Sequence, residues 1–331
     1  MKLNALNIEW SDQSIGDIME SFGEESLIFP VLESIRIYHE NRYIYPDGLW
    51  WGGSSSRFDL GTHSFPSLKS LSFCSVTPSG KINAPSLQQF TADGQGRMAL
   101  DSTFHDCLQT FTQLQSLELT GFRTCTTPQG DSLVLPNLIT LTLRDIGAYL
   151  MSKISELLRV PKLENLCILW RDPKATYPRD RERRVHHLLH RDDLLDTIFG
   201  AEGGIDEVAS LMMAMRGMLG SMLSLSAITV QANQPFAYAI LAPILPFRLV
   251  HPLGESVQAI DITLVDGCEE EDQLLALALF IRDLILRRYG QDLAIRARVP
   301  RCLEGYLDTS SLPSSSISGW HEKCVCRRCD T

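Results

Sequence analysis

The chain has 331 residues, 44% apolar and 21% charged, which is enough apolar material for a sizeable core and too much for wholesale disorder. Its formal net charge of −10 argues against general nucleic-acid binding, because an acidic surface repels phosphate. The longest dense apolar run, Leu274 to Ile281, is far too short to span a bilayer, so no membrane partner is expected.

The chain opens on "LNALNI", where Leu3, Leu6 and Ile8 follow the spacing apolar-x-x-apolar-x-apolar. Glu9 stands where the apolar core of a signal peptide would continue, and most of the nine cysteines are scattered singly. Reduced thiols in the cytoplasm or nucleus are therefore expected. The template returns as Leu32, Ile35 and Ile37 in "FPVLESIRI" and as Leu68, Leu71 and Phe73 in "FPSLKSLSF". Between these two lies "YIYPDGLWWGGSSS", a loop insertion carrying Tyr43, Tyr45, Trp50 and Trp51. Packing of those aromatics on the flank of the fold is the simpler expectation; a binding loop is the alternative, because long insertions often carry function.

A weaker match is Leu87, Phe90 and Ala92, followed by Leu114, Leu117 and Leu119 and by Leu138, Leu141 and Leu143 in "LPNLITLTL". Leu163, Leu166 and Ile168 follow in "VPKLENLCI". Later come Leu225, Ile228 and Val230, and more weakly Val257, Ile260 and Ile262. From Leu87 to Leu114, Leu138 and Leu163 the steps are 27, 24 and 25 residues, within the range of leucine-rich repeats. The steps of 36 from Leu32 to Leu68 and 62 from Leu163 to Leu225 require inserted loops or helices.

Alternation along each short strand turns the second and third template residues inward and the residues beside them outward. One such unit cannot bury its apolar face alone; stacking neighbours builds a parallel sheet over a continuous core. The expected fold class is therefore α/β, a leucine-rich-repeat solenoid (an irregular horseshoe) with a parallel inner sheet and helical insertions.

The expected organisation is leucine-rich repeats over 1–170, a charged and Met-rich helical insertion over 171–221, and C-terminal repeats with a long helix over 222–300. A Ser-rich linker and Cys-rich tail follow over 301–331. Helical spacing marks "YLMSKISELLRV", the segment from Pro178 to Gly200, "IDEVASLMMAMRGMLGSML" and "EEEDQLLALALFIRDLILRRYG". The methionines of the third are expected in core, and the fourth has acids in its first turn, Arg287 and Arg288 in its last and Gly290 as a C-cap.

The recurrent "FP-x-L-x-x-L-x-apolar" wording resembles the leucine-rich repeats of the large fungal set of F-box proteins. The resemblance covers 1–170 clearly and 220–300 weakly. It implies a protein-recognition module, similar to the part of a ubiquitin-ligase receptor that captures a ubiquitination substrate. It implies a cullin-ligase adaptor as a partner only where an upstream F-box exists, since no F-box is visible in the sequence. Where many such repeats carry Asn or Cys for a buried ladder, this chain has Val76, Phe122 and Ile146, so its turns are expected to be held by packing. A stand-alone scaffold unrelated to ubiquitin is the alternative.

The candidate partner-binding face comprises the outward residues Arg36, Tyr38, Glu118, Thr120, Thr142, Arg144 and Asn165, with Cys167 beside them. The tail "HEKCVCRRC" offers His321, Cys324, Cys326 and Cys329, four soft ligands sufficient for a tetrahedral zinc site. Structural zinc sites usually pair two ligand clusters across a segment, and only one is present, so a mobile basic tail is the simpler expectation. Redox regulation through that cluster is a further alternative. His186 and His190 sit four apart on an expected helix without a metalloprotease motif. No phosphate-binding glycine loop or nucleophile elbow occurs. Neither catalytic residues nor a cofactor is expected, and the chain is read as no enzyme.

Overall fold

The computed structural model describes residues 4–10, 27–39, 56–61, 63–79, 81–94, 99–122, 124–125, 132–146, 148–169, 204–232, 256–264, 294–300 and 317–321, with single positions at 237, 240, 241, 243, 279 and 282. Its main element is an 11-stranded sheet. The strands are β1 (Ala5–Trp10), β2 (Ser34–His39), β4 (Ser70–Cys74), β6 (Gln89–Asp93), β8 (Ser116–Thr120) and β11 (Thr140–Arg144), followed by β13 (Asn165–Leu169), β14 (Ala227–Ala232), β15 (Ala259–Leu264), β16 (Ala294–Pro300) and β17 (Ile317–His321). They lie in chain order and every neighbouring pair is parallel.

The register explains the leucine spacing. One ladder across the sheet runs Leu6, Ile35, Leu71, Phe90, Leu117, Leu141, Leu166, Ile228, Ile260, Ile295. From Ile35 to Ile260 its members are at most 1% exposed. A second ladder, from Ile8 through Phe73 and Leu143 to Ala297, lies two residues further on and is also buried beyond Ile8. Both faces of the alternation are thereby fixed, because a slip of one residue would turn every ladder side chain to the other face.

The proline before each template has a local cause. Leu68 N–H donates to the Phe65 carbonyl, Leu87 to Ala84, Leu138 to Leu135 and Leu163 to Val160, each closing a four-residue turn with proline second. Proline pre-sets the backbone angle that position needs. The next carbonyl ties the units together: Gln115 accepts from Ile139 and Thr140, Ile139 from Glu164 and Asn165, and Glu164 from Ser226 and Ala227. The 62-residue step is thus inserted without displacing β14 from β13.

Just past the strands, Ser75, Gly121 and Asp145 occupy matching places with φ of 59°, 63° and 53°. This left-handed turn sends the chain out of the sheet and buries the following Val76, Phe122 and Ile146, but packing does not act alone: Ser75 N–H donates to the Asp93 carbonyl, Gly121 to Arg144 and Asp145 to Leu169. Short parallel pairs form a second layer: β3 (Ser56–Asp59) with β5 (Val76–Ser79), β7 (Ala99–Leu100) with β9 (Thr124–Cys125), and β10 (Leu133–Val134) with β12 (Leu158–Arg159).

Three helices have described bounds: α1 (Ser102–Gln109), α2 (Ala148–Leu157) and α3 (Gly204–Ser221). Helix α1 begins where Asp101 Oδ1 accepts the Phe104 N–H at 2.9 Å, satisfying a donor that the first turn leaves free. It touches β5 and β10, while α2 packs on α3. The core lies between the large sheet and this layer, with Phe90 against Phe73, Phe104 and Phe111 at ring separations of 5.3–6.0 Å. Met215, Met218 and Met222 are buried, as expected from sequence, whereas Met213 is exposed.

The α/β class and the long parallel sheet agree with the sequence expectation. Helix α1 and the short second-layer strands were not anticipated. Strand β17 occupies part of the stretch expected as linker and tail. The segment 170–203 and all but Leu279 and Arg282 of the stretch expected as a long helix lie outside the described residues. Among the described residues no helix is long and apolar enough to cross a membrane.

Candidate functional site: one face of the parallel sheet

The large sheet has one face on the core. Its other face carries the residues that alternate with the buried ladders. In register these are Asn7, Arg36, Ser72, Thr91, Glu118, Thr142, Cys167, Thr229, Asp261 and Arg296. Two residues on, the row holds Glu9, Tyr38, Cys74, Asp93, Thr120, Arg144, Leu169, Gln231, Thr263 and Arg298.

All seven residues expected on this face lie there. Glu118, Thr120, Thr142, Arg144 and Asn165 are brought together on the adjacent strands β8, β11 and β13. Arg36 and Tyr38 share the face but stand on β2, separated from β8 by β4 and β6, roughly 14 Å at normal strand spacing. Arg36 is exposed and the others are half-buried. Within the cluster, Arg144 Nε donates to Glu118 Oε1 at 3.3 Å across neighbouring strands.

A second pair was not anticipated. Arg296 donates to Asp261 through Nε at 2.7 Å and Nη2 at 3.1 Å, a two-pronged contact between residues directly opposite on β15 and β16. The alternation of Ile295 and Ala297 was the signal that could have placed Arg296 on this face. Cys74 Sγ donates to Asp93 Oδ2 at 3.9 Å. The face is a mosaic of opposite charges, hydroxyls, one tyrosine and two half-buried thiols.

The turns beside the sheet carry their own repeated contact. Ser67 Oγ donates to the Pro30 carbonyl at 2.6 Å, Asn137 Nδ2 to Thr112 at 2.9 Å and Ser224 Oγ to Pro161 at 3.2 Å. In each case the third residue of one turn caps the second residue of the turn before.

On the core side a cavity of about 20 Å³ is lined by Leu100, Phe104, His105, Leu119, Leu133 and Ile154 among others. The buried His105 Nε2 has no hydrogen-bond partner. Nearby Cys107 is fully buried, and loss of hydration pushes its thiol up to about 12. A thiol so placed is inert.

Tyr43, Tyr45, Trp50, Trp51, Cys324, Cys326 and Cys329 lie outside the described residues, as do His186 and His190. His321 ends β17, and its side chain is not among those described. Among the described residues no group of three or more His, Cys, Asp or Glu is placed to hold a metal ion. No family model, curated protein or solved structure matches the chain.

Proposed function

We propose that the protein is a leucine-rich-repeat solenoid that recognises a protein partner through the outward face of its parallel sheet. The observation that carries this is the patch formed by the in-register pairs Glu118 with Thr142 and Thr120 with Arg144, beside Asn165 on the next strand, with the rest of a mixed polar row on either side. Charged and aromatic side chains fixed on a rigid sheet suit specific docking, because little side-chain freedom is lost on binding. In the resemblance to fungal F-box proteins this face is the substrate-capturing surface. Attachment to a cullin–RING ligase then falls to an F-box, and a form of the protein extended upstream to include one would bind the cullin adaptor.

The test begins with affinity capture on the purified chain and identification of what it holds. Binding of the identified partner is then measured for the wild type, for Tyr38→Ala, Glu118→Lys and Arg144→Glu combined, and for the opposite-side control Glu156→Lys. A loss of affinity of at least about tenfold in the face variant alone supports the proposal. Equal binding by all three proteins rejects this face. Capture of the cullin adaptor by the chain as it stands contradicts the assigned division of labour, and a partner unconnected with ubiquitin selects the stand-alone scaffold.

A further inference from the structure

Helix α1 has eight residues, too few to persist by helical hydrogen bonding alone, so its place depends on what it buries. Its buried side chains are Phe104, His105, Cys107 and Leu108. Imidazole is the side-chain type whose charge ordinarily changes between about pH 5 and pH 8, so one anchor of this helix is ionisable.

His105 is 6% exposed, and its Nε2 has no hydrogen-bond partner. Its Nδ1 lies 3.7 Å from Asp106 Oδ1, beyond hydrogen-bond reach, and the Asp106 side chain is 64% exposed. The other buried histidine differs, because His63 Nδ1 accepts the Leu27 N–H at 3.3 Å. From other elements, the cavity beside His105 is lined by Leu117 and Leu119 of β8, Leu133 of β10, Ile154 and Leu157 of α2, and Leu158 of β12. None of these is charged or titratable, and neither is any residue of β5, which α1 also touches. Asp101 lines the cavity too, but as the cap that accepts the Phe104 N–H.

A neutral imidazole has one donor and one acceptor nitrogen, whereas an imidazolium donates from both. In this wall the charged ring meets only the exposed Asp106 carboxylate near Nδ1 and apolar side chains around the cavity. A charge without hydrogen-bond partners is costly there, and water satisfies both N–H groups outside it. Acid therefore favours the arrangement in which His105 has left the wall and α1 has left with it. Leu117 and Leu119 belong to the same strand that carries Glu118 and Thr120 on its outward face.

We propose that charging of His105 in acid releases α1 from the back of β8, loosens the strand that presents Glu118 and Thr120, and so makes recognition by that face pH-sensitive. The regulatory part rests on the reading of the outward face as the docking surface.

Hydrogen exchange of the intact chain, read by mass spectrometry from about pH 7.5 down to about pH 5 and corrected for the intrinsic pH dependence of exchange, tests this. Peptides covering Ser102–Gln109 and Ser116–Thr120 are expected to lose protection by at least about tenfold at the acid end, while Asn165–Leu169 keeps its own. His105→Leu suits an apolar wall and is expected to abolish the loss. Asp106→Asn removes the carboxylate beside Nδ1 at an exposed position, and is expected to move the onset of the loss to higher pH. Constant protection of α1 in the wild type, an acid loss that persists in His105→Leu, or a β8 that stays protected while α1 opens overturns the proposal. Should His105→Leu alter the fold, Asp106→Asn decides: an onset that does not rise overturns it. Exchange needs no partner, so failure of the docking face leaves the acid release standing, and failure of the release leaves the docking face in place.

Discussion

Arg144 on β11 donates through Nε to Glu118 on β8, reaching diagonally from the residue after the second buried ladder to the residue between the two ladders. Their side chains are 28% and 33% exposed, so water screens the pair. Exposed ion pairs contribute at most about 1 kcal/mol, and Glu118→Ala or Arg144→Ala is expected to lower unfolding stability by no more than that. Urea unfolding of both variants checks this. A loss of several kcal/mol would mean that the pair holds the sheet together and is not kept for its surface.

The ladders behave oppositely. Leu141 is fully buried, with Leu117 and Leu166 opposite it on the flanking strands. Leu141→Ala removes that burial and opens a cavity that a sheet fixed on both sides cannot close, at an expected cost of about 3 kcal/mol. Thr142→Ala, one residue along, is expected to change stability by less than about 0.5 kcal/mol. Chemical denaturation of the two side by side reads the inward and outward assignment directly.

The ladders were legible in sequence because spacing alone carries them: each depends on alternation within five residues and on recurrence of the unit. Even the weak match Leu87, Phe90 and Ala92 falls in register with its neighbours. What periodicity could not deliver depends on partners distant in the chain. Helix α1 has eight residues, includes His105 and Cys107 among its buried positions, and is held by Phe104 against Phe90 and Phe122. Strands of two residues, such as β10 and β12, are too short to show alternation. Glu118 and Arg144 were each legible as outward, but their meeting joins residues 26 apart in the chain and needs the pairing of their strands.

The recurrent turn gives a third prediction. Met222, Leu223, Ser224 and Leu225 form the same turn as the proline-containing ones, with the Leu225 N–H on the Met222 carbonyl at 3.3 Å, yet position 223 holds leucine. That leucine is 82% exposed, so its side chain adds little to the core. Leu223→Pro is expected to raise stability by about 0.4–1 kcal/mol, because the unfolded chain loses freedom that the folded turn never had. The converse change, Pro136→Ala in "LPNL", is expected to lower it by a similar amount. Thermal unfolding of both variants provides the measurement, and a destabilising Leu223→Pro would show that this turn differs from its relatives.

Cys107 supplies the last prediction. Its thiol is pushed up from the model-compound value of 9.0 to about 12 because burial strips water from the thiolate. At pH 8 the native chain should therefore protect Cys107 from an alkylating agent, while the half-buried Cys74 and Cys167 react. Peptide mass mapping after a short pulse distinguishes them. The raised value also sets a direction for stability. Below about pH 9 the thiol is protonated in both the folded and the unfolded chain, and its contribution is fully present. Between pH 9 and pH 12 the unfolded chain releases this proton and the folded one retains it, so stability falls as pH rises. Cys107→Ala removes that share of the alkaline loss, and its unfolding free energy should decline less steeply than the wild type's across the interval. Equal slopes, or prompt labelling of native Cys107, would place the thiol in contact with water.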